Sequence, residues 1–298
     1  MSTTATETPQ YANTALPERP QDGEVIYMDA GGAPQWPLWS RLYDRTAHHE
    51  AALVAHLSWS GDFSVAGSAP NNFTVTLGAI NAVHLYNSTA SVVKSYGGGS
   101  ITQSKVEGGG GTLGASAQWW YVYAFLNGSS ALDFEISTDP PNASRALKST
   151  DNTRVYVGCF PTLSTGVPIP VRASRGRYVY NVGESAVADV SVVAAGSATA
   201  YTSVPCSALV PPHARIATLD VRGTLPLAGG ATTSAVLVQS YGSTGAMAHV
   251  LHNGTGAALD PSGVTFDVVL DSSRRAQYKV AGGANAPLAD IYVTGFCE

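Results

Sequence analysis

Two carboxylates two residues apart, Asp133 and Glu135, are the residues in this sequence best spaced to do chemistry. They close the run WWYVYAFLNGSSALDFEIS, residues 119–137. On a strand, residues i and i+2 share one face, with backbones about 6.5–7 Å apart. Carboxyl pairs at such separations occur in inverting glycosidases, where one acid protonates the leaving oxygen and the other activates water. Trp120 would then be the ring on which a sugar stacks. That chemistry has conditions: the acids must flank a cleft, and one must keep its proton near neutral pH. Two acids on one solvated strand meet neither, so the pair reads first as a polar face.

The remaining chemistry is sparse. The seven histidines and three cysteines form no HExxH, HxH or CxxC pattern. His48 and His49 sit in a polar linker. His249 and His252, three apart in a strand-like run, point to opposite faces and cannot chelate one ion together. Cys159, Cys206 and Cys297 read as reduced, buried small hydrophobes. No GxSxG elbow marks a serine nucleophile. The runs GGGS (97–100) and GGGG (108–111) lack the Lys-Ser/Thr of a phosphate loop. No catalytic residue, metal site or cofactor is therefore expected, and the chain reads as a non-enzyme.

The elements that would position any site are strands. Phe73, Val75 and Leu77 alternate with threonines in FTVTL, and LVAHLSW, RVYVGCF, RYVYNV, ARIATLDV, SAVLVQSY, VTFDVVL and ADIYVTGF are similarly β-rich. Turn clusters separate them and no helical period runs through them. This pattern predicts an all-β chain of two antiparallel sandwich or jelly-roll-like domains, residues 46–176 and 177–298. Residues 1–45 are a polar arm ending in PQWPLWSRLYDR (34–45), whose i, i+4 pairs predict one short amphipathic helix. Its Trp36, Trp39 and Tyr43 are candidate contacts to a partner.

Asn127-Gly128 predicts a two-residue type I′ hairpin. That turn sets Tyr123 opposite Leu132, Val122 opposite Asp133 and Trp120 opposite Glu135. Trp119, Tyr121, Tyr123 and Phe125 then share a core face with Leu132, Phe134 and Ile136. Trp120, Val122 and Leu126 share the other face with the acids, which makes them the candidate subunit contact.

Composition narrows the partners. The net charge is −5 and charged residues are 12% of the chain, against about 25% in an ordinary soluble domain. Few charges would need desolvating on burial against neighbouring subunits. Only four of the 16 basic residues are lysines and no basic stripe exists, so nucleic acid is not an expected partner. The three arginines of RASRGRY (172–178) read as loop charges. The first twenty residues show neither the basic nor the apolar region of a secretory signal, and no apolar run reaches the roughly 18 residues of a membrane span. Synthesis in a host cytoplasm without membrane insertion is expected. The five N-x-S/T sequons then read as accidents of composition.

The order GGGGTLGASAQWWYVYAFLNG, ISTDPPN, RVYVGCF and GVPIPVRASRGRYVYN resembles a pattern of tailed-bacteriophage virion proteins. SVPCSALVPPHARIATLDV continues it, and the likeness covers residues 95–298. The segment NASRALKSTDNT departs from the family's usual Pro-Gly-Tyr and basic segment. The resemblance implies a tail fibre, appendage or tail-associated subunit, commonly a homotrimer, held to other virion proteins through residues 1–45. Alternatives are a capsid decoration or head-fibre protein, or a carbohydrate-binding module recognising a host glycan, with Tyr96, Tyr201 or Tyr241 beside Trp120. A glycan depolymerase would rest on Asp133 and Glu135 alone. The pattern is one of strands and turns and carries over no functional residue.

Overall fold

A computed structural model describes residues 61–86, 91–108, 110–143, 145–174, 176–181, 189–224, 232–245, 247–253, 263–282 and 288–298. The expected helix at 34–45, with Trp36, Trp39 and Tyr43, lies outside these residues, as does LVAHLSW. Residues 58–298 form one compact unit.

The class is all-β, as the alternation predicts, and no α-helix occurs among the described residues. The first strands are β1 (Phe63–Ala69), β2 (Asn72–Leu77), β3 (Ile80–Tyr86), β4 (Ser91–Tyr96) and β5 (Gly99–Thr102). Next come β6 (Trp119–Leu126), β7 (Leu132–Ser137), β8 (Val155–Pro161), β9 (Val171–Ser174) and β10 (Arg177–Tyr180). The chain continues through β11 (Ser191–Gly196), β12 (Thr202–Pro205), β13 (Ile216–Thr224) and β14 (Thr232–Ser240). It finishes with β15 (Met247–Asn253), β16 (Gly263–Val269), β17 (Arg275–Ala281) and β18 (Leu288–Cys297).

Nine strands form one sheet in the order β16-β13-β18-β10-β9-β1-β2-β5, with β11 also paired to β18. The others form a four-stranded sheet, β12-β17-β14-β15, a hairpin of β3 and β4, and a three-stranded inner sheet, β7-β6-β8. The large sheet crosses the division expected at residues 176 and 177. Those residues lie in and beside the β9–β10 hairpin, where Ser174 pairs with Arg177 and Gly176 takes a left-handed φ of 77°. A hydrogen-bonded hairpin cannot be an inter-domain linker, so strands from both halves of the sequence share one sheet.

The inner sheet is covered on both faces. Its face B carries Phe160 and Gly158, which meet β2 and β1: Phe160 packs 6.1 Å from Phe73, ring centre to ring centre. Its face A carries Trp119, Tyr121, Cys159 and Tyr156, and Trp119 meets Phe296 of β18 edge-on at 5.6 Å. Phe296 in turn stacks on Tyr178 at 4.4 Å and 10°. Tyr121, Tyr123, Phe160 and Phe296 are among the largest fully buried side chains, each worth about 1.5–3 kcal/mol of burial. A bulge places Tyr156. The register between β6 and β8 slips at Val157, because Val122 pairs with Gly158 and Tyr123 with Tyr156. Tyr156 and Cys159 are three apart and would face opposite ways on a regular strand; the extra residue puts both on face A.

Gly158 marks the closest approach between β8 and β1. A Cβ there would sit 2.9 Å from Cδ2 of Phe63. Overpacking of this kind costs about 1–3 kcal/mol. Gly158→Val is expected to lower the unfolding free energy by that amount, with a matching fall in the urea midpoint, and Gly158→Val with Phe63→Leu to recover part of it. Chemical denaturation followed by tryptophan fluorescence checks both.

Candidate functional site

The acid pair sits elsewhere than the two-residue turn implies. Asn127 accepts hydrogen bonds at Oδ1 from the N–H groups of Ser129 and Ala131, both at 3.0 Å, and Ser130 adopts a left-handed φ of 57°. This side-chain-capped loop spans residues 127–131 in place of a type I′ turn, and Leu126 pairs with Leu132. Tyr123 faces Glu135 instead of Leu132, a slip of three residues. An odd slip exchanges faces. Asp133 and Glu135 therefore lie with Phe125 and Tyr123, while Trp120, Val122 and Leu126 lie with Phe134 and Ile136.

Both faces of β6 are buried, so the expected contact surface is core. Trp120 and Val122 are 6% and 0% exposed. Leu126 packs partly buried against the same cluster. The Trp120 indole N–H is buried without an acceptor. Of the other rings suggested for sugar stacking, Tyr96 packs on Phe134 at 5.1 Å. Tyr201 and Tyr241 are exposed, but Lys279 and Arg275 lie over their faces at 4.6 and 3.9 Å.

The acids are held in ion pairs. Lys105 donates to Asp133 at 2.5 Å. Glu135 accepts from Lys148 Nζ at 2.9 Å on one oxygen and from Arg154 Nε at 3.0 Å on the other. Lys148, with a side chain only 4% exposed, also donates to Glu107 at 2.8 Å and lies 3.7 Å from Asp139. Arg154 covers the Phe125 ring at 3.9 Å. With each Glu135 oxygen bound to a cation, the pair has the form of a structural network and not of an acid and base waiting for substrate. Burial works to depress the Lys148 ammonium, but its hydrogen bonds to Glu107 and Glu135 outweigh that and raise it. Glu107 is held low by Lys148 first and by the Ser137 hydroxyl second.

A second cluster escaped the spacing rules altogether. Glu298, directly after β18, turns its Oε1 toward face A of the inner sheet. Tyr156 Oη donates to it at 2.5 Å, His213 Nε2 lies at 2.8 Å, and Cys159 Sγ donates at 3.5 Å. Tyr178 adds a hydroxyl 3.4 Å from that of Tyr156. His213 comes from the turn closed by the Ala214 N–H to Pro211 carbonyl bond. Its ring meets Tyr156 edge-on at 5.5 Å, and its Nδ1 is buried without a partner. The side chains of His213 and Glu298 are 9% and 12% exposed. Burial first, then the Glu298 charge, pushes the Cys159 thiol well up; burial foremost does the same to Tyr156 and Tyr178. These groups stay protonated and donate. Glu298 lies 85 residues from His213 and 139 from Cys159 in the chain. No motif scan could join them, and the one available signal was that Cys159 lies within VYVGCF while Glu298 directly follows its look-alike IYVTGFC.

No protein-family model matches this chain, and no curated protein matches it. The geometry must carry the reading alone. Arg172 and Arg177 of RASRGRY line a groove of about 580 Å³ with Asp62, Phe63 and Val179; Arg175 lies outside the described residues. Arg177 is 3.9 Å from Asp267. Among the described residues no helix is long and apolar enough to cross a membrane.

Removing Lys148 leaves Glu107, Glu135 and Asp139 facing one another. Lys148→Met is expected to cost about 3 kcal/mol, the low end for a broken buried pair because half of Glu107 is exposed. The pH dependence has a definite sign. The lowered Glu107 contributes stability that is present above its unfolded value of 4.5 and is lost as pH falls through its folded value. The raised Lys148 contributes below 10.5 and loses its effect as pH rises through its folded value. The gap between wild type and variant should be flat from about pH 6 to about pH 9 and shrink on either side. Urea titrations across that range measure it.

Proposed function

We propose that the chain is a structural, non-enzymatic subunit of a tailed-bacteriophage virion, in the class of tail fibre, appendage or tail-associated proteins. The observation that carries this reading is an open edge of the large sheet. β16 pairs with β13 on one side, and among the described residues no strand pairs with its other side. Val264 and Val269 on it are 38% and 57% exposed. An unblunted edge bearing apolar side chains is a template for another chain. β16 does carry Asp267, but no lysine or proline shields it. The spent acid pair and the low charge of the chain agree with a building block. In this reading copies of the chain join through sheet edges, the trimer being the expected state, and residues 1–45 tie the assembly to the particle. A decoration or head-fibre position uses the same surfaces. Glycan recognition has less support, since Trp120 is internal and cations cover the exposed tyrosine rings.

Light scattering after size exclusion tests the assignment. The full chain is expected to be trimeric, and Val269→Lys to shift it toward monomer without unfolding it. Deletion of residues 1–45 should keep the trimer but abolish its incorporation into particles, followed by sedimentation. A monodisperse full-length monomer that joins no particle overturns the assignment.

A further inference from the structure

Glu298 carries a mostly buried charge with little to compensate it. Its carboxylate lies against face A of the inner sheet, and among the described residues the one basic side chain paired with it is the His213 imidazole, at 2.8 Å. Its other close partners are the neutral donors Tyr156 and Cys159. Lys148, by contrast, is matched by several acids. A buried anion served by an imidazole and a thiol, with no lysine or arginine beside it, favours a cation.

The distances suit one. Cys159 Sγ, His213 Nε2 and a Glu298 oxygen all lie within 4.8 Å of one another. Four-coordinate zinc bonds of about 2.3 Å to sulfur and about 2.0–2.2 Å to nitrogen and oxygen set neighbouring ligand atoms about 3.3–3.6 Å apart. The Cys159 Sγ to Glu298 Oε1 separation is already 3.5 Å. His213 Nε2 and Glu298 Oε1, at 2.8 Å, need to part by about half an ångström. We propose that Cys159, His213 and Glu298 bind one divalent transition-metal ion of the zinc class.

The donor set decides the class. A thiolate, an imidazole and a carboxylate select zinc, cobalt or their neighbours; magnesium and calcium require more oxygen ligands than the cluster offers. Charge balances on loading. The thiol releases its proton to solvent, and thiolate and carboxylate together neutralise the ion. The proton that Nε2 shares with Glu298 moves to Nδ1, which hydrogen bonding leaves without a partner in the unloaded site. Tyr156 keeps its hydrogen bond to the carboxylate and orients it from outside the coordination sphere, with Tyr178 behind it. Water takes the fourth position, reached along the partly open side of His213 and Glu298. The site is independent of the virion assignment, and either can fail without the other.

Cobalt reports on it directly. The full chain, stripped with chelator and free of any tag beside Glu298, is titrated with Co²⁺ alone. One equivalent should produce a sulfur-to-cobalt charge-transfer band and the intense visible bands of a four-coordinate ion, both erased by Zn²⁺. Cys159→Ser should remove the sulfur band and weaken binding by about 100-fold or more, and Glu298→Gln should keep the band and weaken binding at least about 10-fold. Cys297→Ser should change neither. Absence of the sulfur band in the folded full chain, or its survival in Cys159→Ser, overturns the proposal. Should Cys159→Ser not fold, His213→Gln and elemental analysis of zinc retained by the wild-type chain after dialysis decide it: one ion per chain supports the site, and none overturns it.

Discussion

All seven residues of β8 are buried, which leaves the strand no side on which water could solvate a polar atom. Everything around it answers that constraint. One edge of its backbone pairs with β6 along almost the full strand. Its face B is packed by Phe63 and Phe73 of the large sheet. Its face A, where the Tyr156 hydroxyl and the Cys159 thiol would otherwise be stranded, meets the Glu298 carboxylate. One buried acceptor thus serves several donors, and the cost of burying its charge is set against the larger cost of leaving those donors unpaired.

The same inner sheet is bounded by two ionic clusters of opposite design. At the β7 margin the cation Lys148 is surrounded by carboxylates, and Arg154 shares the load at Glu135. That arrangement is nearly self-neutral and wants nothing more. On face A the central group is an anion surrounded by neutral donors. The first cluster locks a register; the second keeps a charge in reserve. Glu135 belongs to this saturated cluster and Asp133 is held separately by Lys105, so both acids of the closely spaced pair already have cations.

The class of fold was legible because one-sided strands announce themselves. In β2, Phe73, Val75 and Leu77 are buried while Thr74 and Thr76 lie outward, as their alternation implies. β8 shows no such alternation because both its faces are covered. The faces of the β6–β7 hairpin were not legible from Asn127-Gly128. The Asn127 side chain captures two backbone N–H groups and draws Ser130, a non-glycine residue, into the left-handed region, and this energy competes successfully with the two-residue turn. The bulge at Val157 has no sequence mark. Nor does the convergence of Cys159, His213 and Glu298, which exists only once β8, the Pro211 turn and β18 are assembled. The division expected near residue 176 falls on the β9–β10 hairpin, because a tight glycine hairpin inside a sheet and a glycine linker look alike in one dimension.

The position of β18 bears on how the chain is made. It pairs with β13, β10 and β11, yet follows all three in sequence. During synthesis β10 waits with an open edge for about 110 residues (288 minus 180). At ribosomal speeds that is some 5–20 s, far longer than a hairpin needs to form. Until β18 leaves the ribosome the large sheet is two unjoined pieces with open edges, and β11 has no strand to pair with. A chain interrupted before β18 cannot complete its sheet or bring Glu298 to the inner strands. Closure of the large sheet is therefore gated by β18, the strand that follows every one of its partners in the chain.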